Sequence, residues 1–303
     1  MRFAADLHIH SHFSLATSRK LVPEHLDLWA RIKGLSLLGT GDFTHPGWLE
    51  ELKEKLVPAE QGFFRLKPDF KQGAEVPPVS TLSSEVRFIL SAEISSIYKK
   101  NGRVRKVHSV ILAPDFASAE KINQALLKLN ANLSSDGRPI LGLDARDLLE
   151  ITLESSPDCL FIPAHIWTPW FSVLGSKSGF DNIKECFDDL TPHIKAVETG
   201  LSTDPAMNAI CSFLDAFTLL SNSDAHSPEK LGRNANLFDC PLDYFTVKKG
   251  LTGENPNYFL GTIDLYPQEG KYNYDTVKAG YAGIPCRRWK TRACVPIAAG
   301  RLL

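Results

Sequence analysis

Histidines and carboxylates recur in this sequence in doublets and at regular intervals. His8 and His10 stand two apart in Asp6-Leu7-His8-Ile9-His10, and Asp224 and His226 stand two apart in Ser221-Asn222-Ser223-Asp224-Ala225-His226. Alternate side chains of an extended chain share a face, so each pair points one way. Between the doublets, Asp42 follows a second apolar run, with His45 just beyond. Glu93 closes a third run, His108 opens a fourth, His165 closes a fifth and Glu198 a sixth. A lone histidine at a strand end is more often a hydrogen-bonded core or loop residue than a ligand. Two doublets plus single ligands at successive strand ends are another matter, because burying so many ionisable groups together without a cation costs repulsion and desolvation. Imidazole with carboxylate, and no cysteine, suits a catalytic zinc, manganese or iron site better than a structural zinc. The expected metal ligands are His8, His10, Glu93, His108, His165, Asp224 and His226. Asp224, His226 and Asp42 are also expected to act directly in the chemistry. His12, His45 and Glu198 are as well suited to surface or orienting roles, and His25 and His193 to ordinary helix or loop positions.

For these groups to meet, the elements carrying them must converge. Apolar runs rich in β-branched or aromatic residues lie at 3–9, 35–40, 86–97, 107–113, 159–164, 194–199 and 217–221. Segments of helical period separate several of them. Residues 23–33 place Leu26, Trp29, Ala30 and Ile32 on one side behind Pro23 and Glu24. Residues 117–133 place Ile122, Leu126, Leu127 and Leu129 together, and 144–153 and 204–214 each start on an acid. Strand and helix in alternation predict an α/β fold with a mainly parallel sheet. A closed or nearly closed barrel is preferred, since no G-x-G-x-x-G follows the first strand. Such a barrel gathers the C-terminal strand ends on one face. Residues 58–84, with Pro68, Gly73, Pro77 and Pro78 and no sustained period, read as a long surface excursion.

Composition narrows the field without naming a chemistry. The 303 residues carry 34 basic and 35 acidic side chains, a net charge of −1, so a polyanion would have to be gripped by a local patch. A 43% hydrophobic content with 23% charged residues is that of a folded globular chain. The sequence has no run long enough to span a membrane, and the opening Met1-Arg2-Phe3-Ala4-Ala5 turns polar at Asp6, unlike a signal peptide. A cytoplasmic enzyme with no membrane partner is expected. Cys159, Cys186, Cys211 and Cys240 read as buried thiols; Cys286 and Cys294 lie in an irregular tail.

In combination, Asp6-Leu7-His8-Ile9-His10-Ser11, the Gly-Asp turn at Asp42, Glu93, His108, His165 and Asp224-Ala225-His226 resemble the polymerase-and-histidinol-phosphatase (PHP) superfamily. The resemblance covers residues 1–265 and implies a distorted (β/α)7 TIM-like barrel, a metal-dependent phosphoesterase domain holding two or three divalent ions. Zinc is the first expectation, with manganese, iron or magnesium behind it. Within the superfamily, Ala16-Thr17-Ser18, Gly39-Thr40-Gly41-Asp42 with His45-Pro46, residues 163–171, and Asp224-Ala225-His226-Ser227-Pro228 followed by Leu231-Gly232-Arg233 are similar to endonuclease Q. That resemblance implies a DNA-repair nuclease that nicks 5′ of hypoxanthine, uracil or an abasic site. One ion would rest on His8, His10, Glu93 and Asp224, and a second on Glu93, His108 and His165. Two such ions about 3.5–4 Å apart would clamp a phosphate. Where the superfamily usually has histidine after the Asp of its second motif, this sequence has Phe43, which leaves a third ion to His226 with help from Asp42 or a neighbour.

Two stretches bear on substrate. Lys99, Lys100, Arg103, Arg105 and Lys106 crowd the turn between the Glu93 and His108 strands, where they would touch phosphates or sit solvated at a hairpin tip. Trp167, Trp170 and Phe171 follow His165 and would stack on an extruded base or pack beneath a loop. Lys177 and Arg233 are expected phosphate contacts. From 266 to 303 the chain departs from the family pattern, as a truncated or frame-shifted product would. A small-molecule phosphatase of the histidinol-phosphatase type and a non-catalytic, metal-stabilised nucleic-acid binding relic are the alternative functions.

Overall fold

The computed structural model describes residues 1–71 and 85–270, with the backbone of an antiparallel pair, 274–275 against 284–285. In chain order its elements are β1 (Arg2–Asp6), α1 (Pro23–Lys33), β2 (Leu35–Gly39), α2 (Pro46–Lys55), β3 (Leu56–Pro58), β4 (Phe64–Leu66), β5 (Arg87–Lys100), β6 (Arg103–Ala113), α3 (Phe116–Lys128), β7 (Ile140–Leu141), α4 (Ala145–Ser155), β8 (Leu160–Pro163), α5 (Ile183–Phe187), β9 (Ala196–Glu198), α6 (Pro205–Ala209), β10 (Thr218–Leu220), β11 (Ala235–Asp239), α7 (Tyr244–Leu251) and β12 (Phe259–Ile263). The helix starts follow sequence chemistry. Asp115, Asp144, Asn182, Asp204 and Asp243 each accept a backbone N–H of the first turn, and α1, α2 and α6 open on proline.

The sheet curls back on itself. β1 pairs parallel with β2 and β2 with β5, β5 and β8 flank β6, and β9 lies parallel to β10. The gaps in the ladder are bridged by single contacts. Ile166 N donates to Glu198 O (2.8 Å), linking β8 to β9, and Ile9 bridges Ala225, linking the β10 end to β1. This is a distorted barrel. Its inner core holds Phe3, Ala5, Leu7, Leu37, Ile89, Val110, Leu112, Leu160, Ile162 and Leu220, joined by Tyr244, Val247 and Leu251 of α7. A larger cluster packs α1 to α4 on the outside.

Several expectations change. The sheet, expected to be mainly parallel, is mixed: β6 runs antiparallel to β5 and β8, and β11 antiparallel to β1 and β12, while β5 does not stop at Glu93 but continues to Lys100. Likewise β6 begins at Arg103, well before His108. Beyond Ile97 and before Val107 the pair continues as a mostly charged ribbon in which Tyr98 and Arg105 are the buried residues, so it carries no apolar run to detect. Helix α3 ends at Lys128, and Leu127 and Leu129 are exposed while Leu133 is buried. Residues 204–214 break into α6 and a 3-10 turn rather than one helix. The early part of the surface excursion is a hairpin, β3 with β4, which places Phe63, Phe64 and Leu66 in the core. Residues 72–84 and, apart from the backbone of 284–285, the irregular part of the tail, 276–303, lie outside the described residues. Cys159, Cys186 and Cys240 are buried free thiols, and Cys211 is also buried.

Candidate metal centre

His8 and His10 reach the centre through a change of face in their strand. Phe3, Ala5 and Leu7 lie in the inner core whereas Ile9 lies in the outer one, so the alternation switches between Leu7 and His8. The regular strand stops at Asp6, and Leu7 N donates instead to Asn222 Oδ1 (2.8 Å). Three other site residues occupy left-handed backbone: Asp42 (φ 50°), His165 (φ 28°) and Asp224 (φ 46°). Non-glycine residues adopt that region at a cost, which the surrounding bonds must offset. At Asp224, Arg233 does so, donating to Ser223 O (2.7 Å) and Asp224 O (3.2 Å).

The ligand candidates converge. Three groups have ligand atoms within 4.8 Å of one another: His8, His10 and Glu93; His10, Asp224 and His226; and Glu93, His108 and His165. Glu93 is the hub. Its Oε1 lies 3.0 Å from His165 Nε2 and 2.6 Å from His108 Nδ1, and its Oε2 lies 3.4 Å from His10 Nε2 and 3.7 Å from His8 Nε2. Asp224 Oδ1 is 3.0 Å from His10 Nε2 and 3.6 Å from His226 Nδ1. Among the described residues, two buried imidazole nitrogens, His8 Nε2 and His108 Nδ1, face Glu93 without a well-formed hydrogen bond. Unpaired buried nitrogens aimed at a shared carboxylate fit a divalent cation, which would supply the missing partner.

Behind the histidines stand further acids. His8 Nδ1 lies 3.1 and 3.0 Å from the two Glu198 oxygens, and Glu198 also accepts His165 N and Asn222 Nδ2. His10 Nδ1 lies 3.2 Å from Asp42 Oδ1, and Asp42 Oδ2 accepts from Ser11 N, Ser11 Oγ and Ser14 Oγ. Such partners fix which ring nitrogen faces the metal. Burial presses down the pKa of His8, but Glu198 and Glu93 outweigh it and hold it well above the ordinary imidazole value. His10, buried but bonded to Asp224 and Asp42, is raised to about 9. At His108 burial wins over Glu93 and the pKa drops to about 4. Glu93 stays well below the usual carboxylate range against its burial, chiefly through His108, Arg138 and His8.

No family model matches the chain. The uncharacterised protein YqxK of Bacillus subtilis is 30% identical over 280 residues, 88% of this chain and 66% of YqxK. An uncharacterised protein of Methanocaldococcus jannaschii is 31% identical over 178 residues, 59% of this chain and 18% of that protein. The lesion-specific endonuclease Q of Pyrococcus furiosus has a TM-score of 0.75 and 31% identity, over 90% of this chain and 62% of that one. A second endonuclease Q structure, bound to a 27-mer duplex with an abasic lesion at the active site, has a TM-score of 0.78 and 29% identity, over 97% of this chain and 69% of that one. The chain is similar to endonuclease Q over most of its own length, in agreement with the resemblance read from its motifs. It spans only part of each of these relatives, from 18% to 69% of their length.

The centre lies at the floor of a cleft of about 680 Å³, lined by His108, His165, Glu198, Asp224 and His226 and by the rim residues Arg138, Trp170, Phe171, Lys230 and Arg233. Of the residues expected to meet substrate, Trp170 is half exposed and Phe171 packs its ring 4.7 Å from that of His108. Lys106 Nζ sits 5.2 Å from the Trp170 ring and 5.1 Å from that of Phe171, drawing the basic hairpin to the aromatic loop. Trp167 and Lys177 do not line the cleft; Trp167 Nε1 donates to Asn208 Oδ1 (2.7 Å), and Lys177 is exposed. Arg233 spends two donors on the backbone at 223 and 224. Its cleft-facing position was legible in the motif; its brace on Asp224 was not. His12 pairs with Glu51 (2.8 Å) and His45 caps α2, so neither joins the centre. Phe43 is fully buried in the outer core.

Sequence reasoning did not single out Asn222, which ties β1 to Glu198, or Thr168, whose Oγ1 lies 3.2 Å from His165 Nδ1. Both lay inside quoted runs beside ligands, which is the signal that could have found them. Arg138, whose Nη1 is 3.2 Å from Glu93 Oε2, sits in a turn-rich stretch with no such marker. Among the described residues no helix is long and apolar enough to cross a membrane.

Proposed function

We propose that this chain is a divalent-metal-dependent phosphoester hydrolase that nicks DNA on the 5′ side of a deaminated or missing base. The observation that carries the reading is the hub at Glu93, one carboxylate shared by two of three ligand clusters at the floor of a cleft. Divalent ions held there would supply Lewis-acid stabilisation of the charge on a phosphoryl group. The residues divide the remaining work. His8, His10, Glu93 and Asp224 hold one position, Glu93, His108 and His165 a second, and His226 serves a third with His10 and Asp224. Glu198 and Asp42 orient the imidazoles. Asp224 and His226, both part-exposed at the cleft, are placed to pass protons to and from substrate. Trp170 and Phe171 offer ring faces for an extruded base, and Lys106 offers charge for the adjoining backbone. Residues 1–265 form the catalytic unit in this reading, with zinc the preferred ion.

The DNA part of the reading draws on endonuclease Q, one structure of which holds an abasic duplex at its active site. A cleft of about 680 Å³ is also the size that encloses a small molecule, which favours a phosphomonoesterase as the second reading. Metal-loaded protein incubated with end-labelled duplex carrying one hypoxanthine, uracil or abasic site, and separately with histidinol phosphate, distinguishes them. A 5′-side nick that disappears in Asp224→Ala is the expected result. Phosphate release from the monoester alone moves the function to the second reading, and neither activity in metal-replete protein leaves a binding relic.

A further inference from the structure

The loop between α3 and β7 is anchored on both sides of Arg138. Asp136 Oδ1 accepts Leu15 N (3.0 Å) and Arg138 N (3.2 Å), and Gly137 N donates to Phe13 O (3.1 Å). On the far side Ser95 N donates to Pro139 O (3.0 Å), after which β7 joins β5. Gly137 is needed for the close approach, since a Cβ there would stand 2.3 Å from Asp42 Oδ2 and 2.5 Å from Ser14 Oγ. The fold thus presses a loop against the brace of His10, and the side chain it presents is a guanidinium over Glu93.

Glu93 stabilises this cation in the metal-free chain, but a metal bound beside it would not. The guanidinium repels any metal held by His8, His10 and Glu93, and it donates to Oε2, the Glu93 oxygen that faces those two histidines. Burial does not explain it, because the Arg138 side chain is 27% exposed and lines the cleft. Of the guanidinium's five N–H donors, those on Nη1 face Glu93, and among the described residues the side chain has no other hydrogen-bond acceptor. Arg233, on the same cleft, contrasts with it, since two of its nitrogens are bound to backbone carbonyls. An anion entering the cleft would meet the ligand clusters on one side and the open edge of Arg138 on the other. A planar fork suits two oxygens of a phosphate.

We infer that Arg138 is a catalytic residue that grips the reacting phosphate, resting on Glu93 until substrate arrives. The inference rests on the phosphoester reading above and deepens it. The test uses the full chain loaded with metal, with Arg138→Ala and Arg138→Lys beside wild type, and thermal melts to confirm that each variant folds. Inorganic phosphate binding is read by calorimetry, metal content by elemental analysis and nicking on lesion DNA. Arg138→Ala is expected to keep its metal, bind phosphate at least about tenfold more weakly and lose about 10²-fold in nicking. Arg138→Lys should fall between, and added guanidinium should restore part of the Arg138→Ala loss. Unchanged phosphate affinity in metal-replete Arg138→Ala overturns the inference, and so does loss of metal in both variants, which would make the residue a brace for Glu93. If wild type nicks no DNA yet Arg138→Ala still weakens phosphate binding, the grip stands and the DNA reading falls.

Discussion

The two sides of the centre are built differently. On the side of His8 and His10, each imidazole is backed by a buried acid: Glu198 behind His8 and Asp42 behind His10. On the side of His108 and His165, a hydroxyl stands behind His165, and His108, whose Nδ1 faces Glu93 at 2.6 Å, pairs with no other acid among the described residues. The electrostatics follow. Acids at both ends raise His10 to about 9, while burial with weaker compensation leaves His108 at about 4. In the absence of metal the first side therefore holds protons where cations would sit, and His108 on the second side is neutral. Both sides meet at Glu93, so the comparison can be broken there or sharpened on either side.

The largest effect is expected at the hub. Glu93→Gln removes charge from two clusters at once, and metal content should fall at both positions, with activity down by more than the 10–100-fold typical of outer partners. Loss of a single ion, measured by elemental analysis, would show that the sides are independent. Next in size is the pH dependence of loading. Metal must displace protons from His8 and His10, so affinity on that side should climb with pH up to about 9 for His10, by as much as about tenfold per unit for each proton released. His108 adds no such slope above about pH 5, its proton having left near 4. His165, raised above the ordinary imidazole value because Glu93 outweighs its burial, gives the second side one proton to release against two on the first. Competition against a chelator from pH 6 to 9 should therefore show the steeper slope on the first side, and equal slopes would undo the contrast. Smaller again is Glu198→Gln, which swaps the acid behind His8 for an amide. It should cost 10–100-fold in metal affinity, whereas Thr168→Val behind His165 should cost about tenfold or less because a hydroxyl orients without charging.

How far the sequence could foretell this asymmetry depends on what kind of order each part uses. His8, His10, Asp224 and His226 were legible because spacing of two in an extended chain reports a shared face even when the alternation slips, as it does after Leu7. Glu93 and His108 were found as types but misplaced at strand termini. They lie diagonally across an antiparallel ladder that pairs Glu93 with Val110 and His108 with Ser95, a register that no local pattern encodes. Glu198 was seen but left between roles, since the bond that decides it spans 190 positions of sequence. Arg138 was invisible for the same reason: its meaning comes from Gly137 fitting against Asp42, a contact between distant loops. The outer helices were readable from period and caps, except where Leu127 and Leu129 fitted the apolar count and yet faced water.

The smallest prediction separates fold from site. His45 lies near the first side but outside the clusters, accepting Trp48 N with Nδ1 at the start of α2 and donating Nε2–H to Ser134 O (3.2 Å). Burial lowers its pKa below the ordinary 6.5, so the neutral ring is the form the folded chain prefers. A depressed histidine pKa gives stability that is full above 6.5 and is lost as pH falls below it, because protonation removes the acceptor that caps the helix. His45→Asn supplies a capping oxygen that does not titrate. Between pH 7.5 and 5.5 the wild type should lose about 0.5–1 kcal/mol more than His45→Asn, the worth of one N-cap, in thermal or urea unfolding of metal-free protein. Metal loading of the variant should keep the wild-type pH slope. If that slope flattened as well, the protons governing the first side would not be those of His8 and His10, and the contrast between the two sides would have to be drawn from the loop around Asp42 instead.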